Sequence, residues 1–237
     1  TGIQNTLIGA LAGDALTDSG PVVAVGYAAL STEDRDGGGS TAIGYQALTT
    51  QNAGATAYNT AVGWNAGLSI TTGIYNTFLG GDAGKLLTDA DFNVAVGTFA
   101  LDKDELGSKS TALGYAALST QDFTTATDSF NTAVGFEAGV SVTTGVKNTL
   151  IGTTSGTSLT DADLNTAVGF DALASDTLGS RSVAIGKSTL NAQNFTTATD
   201  TYNTAVGYHA GLAVTTGQYN TFLGGQAGDA TTSGNNN

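Results

Sequence analysis

The sequence contains no cysteine and no methionine, and only one proline among 237 residues. Without cysteine the chain can form neither disulfide bonds nor thiolate metal sites. Charged residues make up only 11% of the chain, and 20 acidic against 7 basic residues give a formal net charge of −13. This charge has the wrong sign for binding nucleic-acid phosphates. No run of about 18 apolar residues occurs, so we expect no membrane-inserting helix in this segment.

Glycine, in contrast, is abundant, with 34 residues in the chain, while the apolar fraction of 40% is ordinary for a folded protein. A collagen helix is excluded because glycine does not recur at every third position and proline is almost absent. Thr, Ser, Asn and Gln supply most of the polarity. The low content of charge argues against disorder that is driven by charge repulsion.

The chain is one motif repeated thirteen times, as in Asn59-Thr60-Ala61-Val62-Gly63. Most intervals between successive motif glycines are 17 residues, as from Gly63 to Gly80. The residue before the glycine is always Val, Ile or Leu. We call the recurring residues the rung glycines: Gly9, Gly26, Gly44, Gly63, Gly80, Gly97, Gly114, Gly135, Gly152, Gly169, Gly186, Gly207 and Gly224.

A longer cycle of four repeats lies on top of this motif. The fourth residue after the rung glycine is Gly or Leu, in the recurring order Gly, Leu, Leu, Gly. The phrase that begins at Leu87 returns at Leu159, 72 residues later. The largest intervals, 21 residues, run from Gly114 to Gly135 and from Gly186 to Gly207, and we expect both insertions to protrude on one side.

Repeats of this length are too short for a helical hairpin, and their Gly, Thr, Val and Asn content disfavours helix. Short β-rich phrases between Gly, Asn and Asp turns favour one solenoid coil per repeat. The sequence therefore predicts an all-β parallel β-solenoid of about 13 short rungs. Residues 1–237 are predicted to be a single repetitive segment of a longer fibre, because the chain ends where a further repeat would begin.

Side-chain volume predicts how the coil is filled. Four rungs have a large residue two positions before the rung glycine, as in Phe78, and a small residue directly after it, as in Gly81. In most other rungs an aromatic residue such as Trp64 follows the glycine, and Thr98 and Lys187 are the exceptions. We interpret this as an exchange of volume within one space, which would place those aromatic residues in the core or in an interface between chains. If they are exposed instead, they could stack on sugar rings. Both parities of the strand are apolar or small, so we also expect lateral packing of several chains.

The phrases Asn-Thr-Ala-Val-Gly-Tyr-x-Ala-Gly and Ser182-Val183-Ala184-Ile185-Gly186 resemble the head repeats of trimeric autotransporter adhesins of the YadA type. They resemble still more closely the repeats of phage tail fibres, and this resemblance covers essentially the whole chain. It implies a left-handed β-roll, a homotrimer of three side-by-side chains, an extracellular location on a virion tail fibre or bacterial surface, and binding to a host-surface receptor such as a glycan. The repeats here are longer than those of adhesin heads.

Two acidic phrases raise the question of a Ca²⁺ site. Asp89 and Asp91, and again Asp161 and Asp163, place carboxylates at alternate positions, as at the start of a calcium loop. The sixth and twelfth positions lack the Gly and the acid of an EF-hand. We therefore favour solvated turns, with Ca²⁺ as the alternative and no other cofactor.

The asparagine four residues before most rung glycines predicts a stacked amide ladder that satisfies buried polar groups. The residue before that asparagine is often aromatic and is predicted to lie nearer the loops, with receptor contact as one role and packing as the other. These residues are Tyr58, Tyr75, Phe92, Phe130, Tyr202 and Tyr219.

The sequence favours a structural protein over an enzyme and contains no candidate catalytic residue. His209 is the only histidine, and it occupies a position that Glu137 and Asn65 hold in other repeats. Many acids recur from cycle to cycle, which is typical of scaffold rather than of a polysaccharide-degrading tailspike. Ice binding on threonine rows is a further alternative, disfavoured because the threonines are expected to be buried and because the insertions would interrupt a flat face. The favoured hypothesis is a phage tail-fibre shaft or head for host attachment, with a bacterial trimeric adhesin as the alternative.

Overall fold

A computed structural model describes residues 3–17, 20–34 and 38–237. Contacts between Cα atoms divide the chain into two compact units. The first contains the described residues up to Tyr115 together with Asp122–Asp128, and the second contains Ala116–Gln121 and Ser129–Asn237. Across the described ranges the secondary structure consists of short strands and turns, without a helix.

The first unit contains nine strands in two parallel sheets. They are β1 (Thr6–Ile8), β2 (Val23–Val25), β3 (Thr41–Ile43), β4 (Thr60–Val62), β5 (Thr77–Leu79), β6 (Val94–Val96), β7 (Gly107–Ser108), β8 (Thr111–Leu113) and β9 (Thr127–Asp128). The order β1-β2-β3-β4-β5-β6-β8 forms the main sheet, and β7 pairs with β9 in the smaller one. Each main strand pairs in parallel with the strand of the next repeat.

The second unit repeats this plan. Its strands are β10 (Thr132–Val134), β11 (Thr149–Ile151), β12 (Thr166–Val168), β13 (Gly179–Ser180), β14 (Val183–Ile185), β15 (Thr199–Asp200), β16 (Thr204–Val206) and β17 (Thr221–Leu223). The order β10-β11-β12-β14-β16-β17 forms its main sheet, and β13 pairs with β15. The two units together hold thirteen three-residue strands, one per repeat, which confirms the parallel β-solenoid of about thirteen rungs.

The rung glycines lie where the backbones of neighbouring rungs approach most closely. Gly135 has a φ of 142°, and a Cβ atom there would lie 2.5 Å from the carbonyl oxygen of Gly152 in the next rung. L-residues rarely adopt this conformation, and the clash is with backbone that cannot move aside. Glycine is therefore required at this position by both the backbone angle and the space.

The middle residue of every three-residue strand after β1 is buried in the coil. Ala61, Phe78 and Ala95 are all fully buried, as expected from the alternation of side chains along a strand. The ring of Phe78 occupies the space beside two glycines: a Cβ on Gly84 would overlap it, and one on Gly67 would lie 2.7 Å from its Cδ2. The middle residue of the strand thus shares interior space with the fourth residue after the rung glycine, so that a large residue at one position requires a small residue at the other.

This contact corrects the predicted partner of the volume exchange. Spacing in the sequence predicts that the large strand residue shares its space with the residue directly after the rung glycine, as in Phe78 and Gly81. In the structure the ring of Phe78 lies beside Gly84 instead. In the following rung the strand residue is Ala95, and the fully buried Leu101 stands at the position equivalent to Gly84. The four-repeat cycle of Gly and Leu is therefore a cycle of core packing.

The predicted asparagine ladder is confirmed, with a specific hydrogen-bond pattern. The backbone N–H of Asn76 donates to Oδ1 of Asn59 at 2.8 Å, and the N–H of Asn93 donates to Oδ1 of Asn76 at 2.8 Å. The Nδ2 of Asn59 also donates to the carbonyl oxygen of Gly73 at 2.7 Å. Each buried amide thus uses its oxygen and its nitrogen to hold the next rung.

Replacing Gly135 by alanine is expected to destabilise the protein by more than about 2 kcal/mol, because both the backbone angle and the contact with Gly152 oppose a Cβ. The matched control is Gly225→Ala, where the nearest atom to the added Cβ is a carbonyl oxygen 3.9 Å away. Urea denaturation of both variants measures the difference. Equal losses of stability would contradict this account of the rung glycines.

Phe78→Ala is expected to cost about 3–5 kcal/mol, the range for removing a buried aromatic ring. Adding Gly84→Leu should restore part of that loss, since the pair then matches Ala95 and Leu101. Leu101 has a φ of 54°, close to the 59° of Gly84, so leucine fits this backbone. Denaturant midpoints of wild type, F78A and F78A/G84L test this, and no recovery in the double variant would refute the proposed exchange of volume.

Candidate functional site: exposed aromatic and aliphatic rows

The outward side of the main strands carries an exposed apolar row. The residue before each rung glycine alternates away from the coil interior, and Leu79, Ile151 and Ile185 are 45%, 39% and 38% exposed. We call this set of Val, Ile and Leu side chains the aliphatic row. The threonine two residues earlier lies on the same outward side, and Thr60 and Thr77 are exposed. The expectation that the strand threonines are buried is therefore wrong.

Aromatic residues that directly follow the rung glycines form a second exposed row, the post-glycine row. Trp64 is 58% exposed and Phe170 is 49% exposed. Their predicted burial in the core of this chain is wrong, because the interior volume is exchanged with Gly67 and Gly84 instead. The alternative, packing in an interface between chains, stays a prediction.

The rings of the post-glycine row stack along successive rungs. Tyr27 and Tyr45 have ring centroids 5.3 Å apart, and Tyr45 and Trp64 have centroids 4.1 Å apart with an interplanar angle of 12°. In the second unit, Nζ of Lys187 lies 5.8 Å from the ring centroids of both Phe170 and Tyr208. The row thus combines π-stacking with cation–π contacts.

The aromatic residues that precede the ladder asparagines form a third row, the pre-asparagine row. Tyr58, Tyr75, Tyr202 and Tyr219 are 55%, 46%, 47% and 52% exposed, and their role in receptor contact stays a prediction. Their rings stack on one another, with centroids 5.6 Å apart for the first pair and 5.4 Å for the second. Phe92 extends the first stack at 5.2 Å. Stacking covers ring faces, so this row presents mainly ring edges and hydroxyl groups.

Charged residues border the pre-asparagine row where each insertion returns to the sheet. The Arg181 guanidinium lies 5.9 Å from the Tyr202 ring centroid and forms an ion pair with Asp200, with Nε and Oδ1 2.9 Å apart. The hydrogen bond that Arg181 donates to the Asp200 carboxylate raises the pKa of Arg181. Lys109 and Asp128 form the corresponding pair in the first unit. These pairs tie the insertions to the neighbouring rung.

The four candidate Ca²⁺ ligands have structural hydrogen bonds. Oδ1 of Asp91 accepts the backbone N–H of Ile74 at 2.8 Å, and Asp163 does the same for Val146. Asp89 and Asp161 accept hydrogen bonds from the hydroxyl groups of Thr72 and Thr144. Among the described residues, no group of three or more His, Cys, Asp or Glu side chains is placed to hold a metal. Calcium binding stays a prediction.

A row of buried polar residues was missed by the sequence analysis. It occupies the seventh position after the rung glycine in rungs that have leucine at the fourth position, and its members are fully buried: Glu33, Gln51, Asp104, Gln121, Asp176 and Gln193. The same position is apolar in rungs with glycine at the fourth position, as in Ile70 and Leu87, except for Thr231 in the last rung. This difference between rung types is the sequence signal that would have revealed them.

Asp176 shows what these buried carboxylates do. Its Oδ1 accepts the backbone N–H groups of Gly179 at 3.1 Å and Phe195 at 2.9 Å, and its Oδ2 accepts Nε2 of Gln193. Oε1 of Gln193 in turn accepts Nδ2 of Asn203 at 2.9 Å. Asp104 accepts the backbone N–H groups of Gly107 and Phe123 in the same way, and Phe123 lies in the insertion that follows Gly114. The network anchors each insertion to the coil interior.

Burial raises the pKa of the Asp176 carboxyl above its usual value, although the hydrogen bonds from Gln193 and the backbone oppose this shift. The folded state therefore holds this proton more tightly than the unfolded chain. The stability that Asp176 contributes is complete below the unfolded pKa and is lost as the pH rises through the folded pKa.

The free energy of unfolding of wild type minus that of Asp176→Asn should therefore fall as the pH rises from about 4 to about 7. Urea denaturation across this range measures the difference, with Asp122→Asn as a control that removes an exposed carboxylate. A difference that stays constant, or rises with pH, would show that Asp176 does not titrate as its burial implies.

Comparison with protein-family models, curated proteins and solved structures gives no match to this chain. In the described part of the chain, no helix has the length and apolar character needed to cross a membrane. His209, the single histidine, stacks on the ring of Tyr208 with centroids 3.8 Å apart. The candidate functional surfaces are therefore the three rows.

Proposed function

We propose that this chain is a structural fibre protein, a left-handed β-roll whose chains associate side by side as a homotrimer. In this proposal it forms an extracellular shaft or head of a phage tail fibre, without catalytic activity, and takes part in attachment to a host surface. The observation that carries the proposal is the aliphatic row, which repeats at every rung of both units. Its Ile and Leu side chains are exposed and its Val side chains are half-buried.

The charge distribution supports this reading of the aliphatic row. The chain has a net charge of −13, yet the two outward positions of every main strand hold only Thr, Val, Ile or Leu. Soluble monomers rarely expose contiguous apolar patches larger than a few hundred Å². An uncharged face that recurs at every rung is what a parallel neighbour with the same repeat would cover. The number of three chains and the left-handed sense of the β-roll come from the resemblance to tail-fibre and adhesin repeats.

A bacterial trimeric adhesin remains the alternative with the same rod. The two differ in the sequences expected around such a segment rather than in the segment itself. Calcium, if bound through Asp89, Asp91, Asp161 and Asp163, would serve either function by offsetting repulsion between carboxylates of neighbouring chains.

The oligomeric mass of the purified chain tests the proposal. Sedimentation equilibrium should give three times the 23.5 kDa mass of one chain. Ile151→Lys with Ile185→Lys should dissociate the assembly, because both side chains are exposed in one chain and lysine cannot be buried unpaired between chains. The control is Thr197→Lys with Ala198→Lys, two exposed insertion residues, which should leave the mass unchanged. A wild-type monomer would refute the homotrimer.

One observation favours a second candidate, ice binding. Thr60 and Thr77 are exposed and paired in register, and threonine holds this position beside the aliphatic row at most rungs. Valine interrupts the column at Val23, Val94 and Val183. The same mass measurement separates the two functions, because a homotrimer would cover this face. A monomer that shows thermal hysteresis would support ice binding instead.

A further inference from the structure

The post-glycine row contains a gap one residue wide. Trp64, Gly81 and Thr98 follow three successive rung glycines. The N–H of Asp82 donates to the Trp64 carbonyl at 2.8 Å, and the N–H of Phe99 donates to the Gly81 carbonyl at 3.1 Å, so these positions are stacked in register. A Cβ on Gly81 would have only Thr98 Cγ2, at 4.0 Å, within contact distance. The space beside Gly81 is therefore open.

The fold does not require glycine at this position. Gly81, unlike Gly80 with its φ of 139°, has no left-handed backbone angle. The room for the Phe78 ring comes from Gly67 and Gly84 rather than from Gly81. Small residues nonetheless recur at the same place in the next two cycles, as Thr153 and Gly225, each one rung after an exposed aromatic residue. Backbone conformation and core packing leave this recurrence unexplained.

The gap adjoins a free aromatic face. One face of the Trp64 indole is covered by Tyr45 of the preceding rung, with centroids 4.1 Å apart. The opposite face is directed towards the following rung, where Gly81 has no side chain to cover it, and Trp64 remains 58% exposed. Successive rungs are about 4.8 Å apart, so Trp64 and Thr98 lie about 10 Å apart along the row. That distance admits one saturated six-membered ring between them.

Polar groups border the same gap. Asn65 and Asp82 directly follow Trp64 and Gly81, and Nδ2 of Asn65 donates to Oδ1 of Asp82 at 3.1 Å. Nζ of Lys85 lies 3.4 Å from the same carboxylate oxygen. A second copy of the chain would be better accommodated on the uncharged aliphatic row. An aromatic face flanked by an amide, a carboxylate, an ammonium and a hydroxyl group matches a sugar, which has an apolar C–H face and a rim of hydroxyl groups.

We propose that the gap beside Gly81 binds one pyranose ring of a surface glycan, stacked on the free face of Trp64. The inference rests on the proposed attachment function and assigns it a ligand class and a site. Asn65, Asp82, Lys85 and Thr98 supply hydrogen-bonding groups at the rim, and Gly81 supplies the space.

Trp64 is the single tryptophan of the chain, so its fluorescence reports on this site alone. The full chain is titrated with methyl α-D-glucopyranoside, methyl β-D-galactopyranoside, methyl α-D-mannopyranoside and methyl N-acetyl-β-D-glucosaminide. We expect a saturable change in Trp64 emission with at least one of them. Gly81→Leu should weaken that binding at least about tenfold, because the leucine covers the indole face.

Tyr27→Leu, at the far end of the same ring stack, is the matched control and should bind the sugar as wild type does. Gly81→Leu enters open space and should fold normally by circular dichroism. If it does not, Gly81→Thr, which copies Thr153, takes its place and should also weaken binding.

Three results would overturn the inference: no response to any of the four glycosides, unchanged affinity in a folded Gly81 variant, or a Trp64 that acrylamide cannot quench because a second copy covers it. Sedimentation of the same samples keeps the proposed function separate. A trimer without sugar binding would refute the glycan site and leave the fibre proposal standing, whereas a monomer that binds sugar would do the reverse.

Discussion

The buried hydrogen bonds of the ladder asparagines are the constraint on which the other features depend. Asn59 joins its rung to the next one twice, through Oδ1 to the N–H of Asn76 and through Nδ2 to the carbonyl of Gly73. These bonds fix the register between neighbouring rungs, and the strands that follow the asparagines pair in parallel in the same register. Once the register is fixed, each position of the repeat lies above its equivalent, and a residue type that recurs in sequence becomes a row in space.

Rows explain why one surface is uncharged while the chain as a whole is strongly acidic. Carboxylates lie in turns, as at Asp91, in the coil interior, as at Asp176, or in the short strands of the insertions, as at Asp200. The outward positions of the main strands are left to threonine and aliphatic residues. Repetition thus separates the aliphatic row, the post-glycine row and the pre-asparagine row, which differ in chemistry. In the proposed function, association between chains and binding of a ligand use different rows.

Much of the fold could be predicted from the sequence, because spacing alone identifies the rungs, the glycines and the asparagine ladder. Directions of side chains could not be predicted in the same way. Phenylalanine at the position of Phe78 is accompanied by glycine at the positions of both Gly81 and Gly84, and spacing does not say which glycine faces the ring. Tyr58 has a φ of 52°, a conformation unusual for tyrosine, so the pleat of the strand does not extend to it. The buried Asp176 was missed because an acid in a polar turn gives no sign of its burial.

The core contacts also limit how an array of this kind can change its length. The Phe78 ring needs the glycine of the rung before it, and Asp176 needs Gln193 of the rung after it. Rungs therefore come in pairs of two kinds, with either glycine or leucine at the fourth position after both rung glycines. A genetic duplication or deletion of a single rung would place the Phe78 ring against a leucine, or would leave the Asp176 carboxylate without the amide of Gln193. Such arrays should lengthen or shorten by whole pairs of rungs. The 72-residue recurrence from Leu87 to Leu159 contains two such pairs.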